Sequence, residues 1–134
     1  MKFRILSALV VSGVALAAGS IALAQQVRSP KATQELTEAL AGRVAGEPVS
    51  CIREGARMRV IDDSTLLFRD RGVVYLQVPR GACRGLSKGF TLVRNSTGAT
   101  RLCSGDISSI VEMSSGFGKD ACVYGDFIPF KKAS

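Results

Sequence analysis

Apolar and polar positions along this chain follow three successive rhythms. From Ile5 to about Ala24 nearly every residue is apolar, interrupted only by Gly13, Gly19 and small hydroxyls. From residue 30 the rhythm becomes helical: Leu36, Leu40 and Val44 recur at four-residue spacing. Ser29 can serve as an N-cap with Pro30 at the first helical position, and Gly46 and Pro48 end the pattern. This predicts one short amphipathic helix over roughly 30–43 whose apolar stripe docks on the main body.

From Val49 onward the period drops to two. In 57–61, Met58 and Val60 fall on one face and Arg57 and Arg59 on the other. Asp62-Asp63-Ser64 forms a turn, 65–69 a second strand, Asp70-Arg71-Gly72 a second turn, and 73–78 a third strand. Pro79-Arg80-Gly81-Ala82 breaks this meander. A further hairpin is predicted within 90–103, turning at Asn95-Ser96-Thr97-Gly98. A strand over 107–113, a Gly/Ser-rich loop over 114–120 and a closing strand in "CVYGDFIPF" follow, with Pro129 suited to a sheet edge. The expected fold is mostly β: a small antiparallel barrel or sandwich of short strands, preceded by one short helix.

The leading apolar run changes the picture most. Lys2 and Arg4 precede it, and Ala22-Leu23-Ala24 supplies the small-x-small pattern of a signal-peptidase site. The alternative is a retained anchor, since the run approaches the ~20 apolar residues that span a bilayer. Arg28 and Lys31 stand apart and form no stop-transfer cluster, so cleavage after Ala24 is expected, leaving no transmembrane segment. No cysteine adjoins that site for lipidation. The chain divides into a signal peptide (1–24), a short amphipathic helix and linker (25–48) and a disulfide-braced β-domain (49–134). The expected destination is the bacterial periplasm or the medium.

Export decides how the four cysteines are read. Cys51, Cys83, Cys103 and Cys122 are an even set in a small exported chain, which implies two disulfides. A zinc site would want close pairs such as Cys-x-x-Cys, and the chain has no His. No metal ligands and no cofactor are assigned. Three connectivities are open. A simple meander favours 83–103 with 51–122; the interlaced 51–103 with 83–122, which ties the first meander to the second half, is preferred.

Charge adds a candidate site. Lys and Arg number 18 against 11 Asp and Glu, a formal net of +7; loss of Lys2 and Arg4 lowers this to +5. The excess lies between Arg53 and Arg101. Arg57, Arg59 and Arg69 fall on the outward face of neighbouring strands, with Arg71 in the joining turn. Guanidinium groups there could hold phosphate or carboxylate bidentately; a scattered solvated face is the plainer alternative. Aromatics for stacking on bases are few, which disfavours sequence-specific nucleic-acid binding.

Catalytic readings have less behind them. Without His, Ser-His and Cys-His pairs are excluded, and no motif supports a Ser-Lys dyad around Ser87-Lys88. No catalytic residues are assigned. Glycan hydrolysis by Asp62, Asp63, Asp106 or Asp126 would need two carboxylates facing each other across a sugar, whereas adjacent Asp62 and Asp63 suit a turn. "GFGKD" (116–120) lacks P-loop spacing. "PRGACRG" (79–85) could present an inhibitor-like loop, but reads better as a strand-end turn anchored by Cys83.

The segments "LAGRVAGEPVSCI", "VIDDSTLLF", "VYLQVPRGACRGL", "RLCSGDI" and "GDFIPF" resemble, as a set, a group of small exported proteobacterial proteins of unknown function. The resemblance spans about residues 36–130. It implies an envelope or secreted, mostly β protein and carries no catalytic residues. The combined expectation is a non-enzymatic domain that binds an envelope partner, or a basic module that grips anionic envelope polymers.

Overall fold

The computed structural model describes residues 28–94 and 100–134. The expected signal peptide and the Asn95–Gly98 turn lie outside the described residues. Helix α1 spans Pro30–Leu40; Ser29 caps it by accepting a hydrogen bond from the Ala32 N–H at 3.2 Å. It stops earlier than the leucine spacing implies. Ala41 is extended and Gly42 is left-handed at φ 69°, so the chain turns there into strand β1, Arg43–Ala45. Val44 therefore belongs to a strand and is exposed, while the buried Ala32 and the half-buried Leu36, Ala39 and Leu40 form the stripe that docks on the sheet.

Nine further strands follow: β2 (Cys51–Arg53), β3 (Arg57–Asp62), β4 (Thr65–Asp70), β5 (Val73–Gln77), β6 (Thr91–Arg94), β7 (Arg101–Cys103), β8 (Ile107–Val111), β9 (Gly118–Val123) and β10 (Phe127–Lys132). A 3-10 turn at Leu86–Lys88 precedes β6. The meander of β3, β4 and β5 pairs as its turn residues predict, and β10 and β1 complete a five-stranded antiparallel sheet in the order β1-β10-β5-β4-β3.

The remaining strands form two smaller sheets, β2-β7 and β6-β8-β9. The hairpin predicted within 90–103 does not form: β6 pairs with β8 and β7 with β2. Thr91–Arg94 finds a longer antiparallel partner in β8 than the three residues of β7 offer. The sheets stay open, which excludes the barrel and leaves the sandwich. Between them lies a core of Ile52, Leu66, Phe68, Leu102, Ile110 and Phe127. Phe68 meets Tyr124 and Phe127 edge-on, with centroids 6.2 and 5.7 Å apart. A second cluster, Ile61, Leu67 and Val74, lies on the opposite face of the five-stranded sheet under α1.

The disulfides are Cys51–Cys103 and Cys83–Cys122, the interlaced pattern. Cys51 and Cys103 sit opposite each other on β2 and β7, and Cys83 and Cys122 are fully buried. Tyr124-Gly125-Asp126 links β9 to β10, and Gly125 leaves no room for a side chain unless the backbone beside it shifts. The fully buried Gln77 accepts from the Gly125 N–H at 2.8 Å and donates to its carbonyl at 2.9 Å. A Cβ on Gly125 would lie 2.7 Å from the Val78 carbonyl oxygen.

Pro129 is not on an edge, because β10 runs between β1 and β5. Its carbonyl accepts from the Gly46 N–H at 2.7 Å. In a strand the N–H and C=O of one residue point the same way, so the missing donor falls on that side, past the end of β1. The ladder to β5 stays whole.

Candidate anion-binding site

Strand register places the arginines. In the β3–β4 pair Arg57 is opposite Arg69 and Arg59 is opposite Leu67. Side chains two apart share a face, so Arg57, Arg59 and Arg69 stand at three corners of a square and Leu67 at the fourth. Directly opposed Cβ atoms lie about 4.5–5.5 Å apart, within the reach of flexible guanidinium arms converging on one anion. Met58, Val60, Leu66 and Phe68 alternate onto the other face toward the main core, Met58 being the exposed one.

The same face carries α1, so it is not simply an outward one. The helix covers the sheet at Ile61, Leu67 and Val74 and leaves the end near β3 Arg57 uncovered. A depression of about 230 Å³ remains there, lined by the apolar Ala39, Met58, Leu67 and Val74 and by Arg57, Arg59 and Arg69. Arg59 pairs with Glu35 of α1 at 3.5 Å. Among the described residues, Arg57 and Arg69 have no carboxylate within ion-pair distance. Like charges directly opposed across an antiparallel pair are destabilising by roughly 0.2–1 kcal/mol, and here no acid relieves them.

Asp70 is the acid that could have done so. It stands between Arg69 and Arg71 in sequence, yet Arg53 takes it in a bidentate pair, Nε to Oδ2 and Nη2 to Oδ1, both 2.9 Å. That bond holds the Asp70 carboxyl below the usual carboxylate range and raises the guanidinium of Arg53. Arg71 does not line the depression. It occupies the β4–β5 hairpin tip at φ 48°, followed by Gly72 at φ 82°, a left-handed pair that usually selects Asn-Gly. Arg43 lies opposite Lys132 at this end of the sheet and donates to the Gly72 carbonyl at 2.8 Å.

A larger groove of about 860 Å³ opens between the start of α1, the β3–β4 turn and the 3-10 turn. It contains Asp62 and Asp63, whose carboxylates have separate structural duties. Asp62 accepts from Arg28 Nε at 3.1 Å and from the Ser64 N–H at 2.8 Å, while Arg28 also donates to Thr65 Oγ1. Asp63 accepts from the backbone N–H groups of Ser87 at 2.9 Å and Gly85 at 3.3 Å, closing the 3-10 turn. Partial burial pushes the Asp63 carboxyl up, but the Ser87 and Gly85 bonds with nearby Lys88 outweigh this, so its pKa lies below the ordinary value. Asp106 accepts from the Cys103 N–H at 2.8 Å in the β7–β8 turn, and Asp126 is exposed in the β9–β10 link. The four acids proposed for glycan hydrolysis are spread over three turns.

In the 79–85 loop, the Arg80 N–H donates to the Val123 carbonyl and the Cys83 N–H to that of Asp63; Arg84 is exposed. No group of three or more His, Cys, Asp or Glu able to hold a metal occurs among the described residues. No helix among them is long and apolar enough to cross a membrane. No protein-family model, curated protein or solved structure matches this chain.

Sequence reasoning singled out the four arginines and missed the depression beneath three of them. Ala39 belongs to the predicted helix and Leu67 to the predicted strand, so both elements were visible. Their meeting depends on which sheet face the helix covers, and alternation alone does not choose.

Proposed function

We propose that this chain is an exported, non-enzymatic β-domain that binds an anionic envelope partner through Arg57, Arg59 and Arg69. The observation that carries this reading is the opposed pair Arg57–Arg69, which has no carboxylate partner among the described residues while Arg53 engages the neighbouring Asp70. A fold gains nothing from that juxtaposition, whereas an arriving oxyanion relieves it and accepts bidentate hydrogen bonds. Arg71 adds charge at the adjoining hairpin tip. Phe68, Tyr124 and Phe127 are buried together on the other face, and Phe130 is half-buried in the cluster under α1, which favours recognition of charge over stacking on bases. Export is supported by the leading apolar run and by two disulfides, which persist in oxidising compartments.

The test is a titration of the oxidised protein with inorganic phosphate and with polyphosphate, followed by NMR of the arginine Nε–H groups. Shifts at Arg57 and Arg69 that weaken as salt rises, and vanish in the Arg57→Gln/Arg69→Gln double variant, are expected. Binding that ignores salt, or survives the double substitution, overturns the reading.

A further inference from the structure

The three arginines surround an apolar floor, and that combination says more than positive charge alone. Leu67 and Val74 are 4% and 1% exposed, and Ala39, from the last turn of α1, closes the side. A site for a bare polyanion needs only a surface of cations, with each phosphate solvated on its outer side. Here the cations ring a recess whose base offers no hydrogen-bond donor from any of the three side chains.

Resting on the anion-binding reading, we propose that the ligand is an amphiphilic phosphomonoester: a tetrahedral dianionic headgroup bearing an alkyl chain. Arg57, Arg69 and Arg59 take the phosphate oxygens, and the first few methylenes lie on Leu67, Val74 and Ala39. The size of the recess supports a partial occupant. At about 230 Å³ it falls below the roughly 300–1,000 Å³ of pockets that enclose a whole drug-sized ligand. The headgroup and the start of a chain fit, and the rest of the molecule lies outside. Ala39 is the gauge of this arrangement, because its small side chain leaves the space that the methylenes fill. Arg59, already paired with Glu35 at 3.5 Å, is the arginine that must share its charge, so Arg57 and Arg69 carry most of the headgroup contact.

The experiment measures the affinities of methyl, butyl and hexyl phosphate for the oxidised full chain by calorimetry, in the wild type, in Arg57→Gln/Arg69→Gln and in Ala39→Leu. Each buried methylene strengthens binding by about fourfold, so butyl phosphate is expected to bind tenfold or more tighter than methyl phosphate. Hexyl phosphate should gain little more, because its end emerges from the recess. The double arginine variant should lose all three ligands. Within Ala39→Leu, methyl and butyl phosphate should bind with equal affinity, the gain from chain length being lost; thermal melting verifies that this variant is folded, and Ala39→Val is the milder substitute. Equal affinity for the three esters, with loss in the arginine variant, overturns the amphiphile inference and leaves anion binding standing. Chain-length dependence that survives the arginine substitutions overturns the inference, since the apolar contact would then lie elsewhere. Absence of binding by all three overturns both.

Discussion

The two faces of the five-stranded sheet follow opposite rules. One face packs Leu66, Phe68 and Phe127 into a continuous core with Tyr124 and the buried Cys83–Cys122 bridge. Its polar groups are matched, as Gln77 with both backbone groups of Gly125 and Ser108 with the Tyr124 hydroxyl at 3.2 Å. The other face is covered by one helix of 11 residues, and beyond its end Arg57 and Arg69 oppose each other with no acid paired to them among the described residues. The first face follows what stability requires: apolar burial and satisfied hydrogen bonds. The second departs from it at the end that has a recess. Like charges are also opposed at Arg43–Lys132 and Arg53–Arg101, but at Arg57–Arg69 the opposition coincides with a recess, the kind of local departure expected where selection for something other than folding has acted.

The sharpest way to break this contrast is to truncate each face in turn. Phe127→Ala removes a fully buried ring and should destabilise the protein by about 3–5 kcal/mol, measured by urea unfolding. Leu36→Ala under the helix touches a half-buried side chain, so a loss nearer 1–2 kcal/mol is expected. Equal losses would mean that the helix face contributes as much as the closed core.

Gln77→Leu keeps the side-chain volume but strands the N–H and C=O of Gly125 in the core. A loss of about 3 kcal/mol is expected, since each orphaned buried group costs on the order of 1–3 kcal/mol. Preserved stability would show that the β9–β10 link finds other partners.

On the arginine face the sign should reverse. Arg71→Asn places a residue that tolerates left-handed backbone at φ 48°, with an expected gain of about 0.5–1 kcal/mol. Phosphate affinity should fall slightly in the same variant. A loss of stability there would show that the arginine is retained at the tip for the fold.

The smallest effect concerns pH. The Asp63 pKa is lowered in the folded chain, so its contribution is complete above the ordinary carboxylate value of about 3.9. That contribution is lost as pH falls through the lowered folded value. Asp63→Asn should therefore flatten part of the decline in melting temperature below about pH 4. An unchanged acid limb would assign the decline to other carboxylates.

Local chemistry was legible where neighbours in sequence are neighbours in space. The β3–β4–β5 meander follows from alternation and from Asp63-Ser64 and Arg71-Gly72 at its turns. Two disulfides follow from an even set of cysteines. The 90–103 hairpin failed because the Asn95–Gly98 turn signal says only that the chain bends, not which strand the bend delivers. Pro129 was misplaced for a related reason. A missing N–H excludes a ladder on one side of a strand, and the short β1 makes that side harmless within the sheet. The arginines were legible as a patch, but their lack of acids was not, because Asp70 looks like a partner in sequence and Arg53 reaches it from another sheet.

By itself, the sequence determined the periods, the turns, the helix and its cap, and the cysteine count, all set by chemistry within a few residues. The tertiary structure decided which strands pair, which cysteines join and which sheet face the helix covers. It also decided that Arg57 and Arg69 stand opposite each other beside Leu67 with no carboxylate paired to them among the described residues. Such choices depend on competing contacts between segments far apart in the chain, where the gain in burial and pairing selects one arrangement. Alternation limits those arrangements without ranking them.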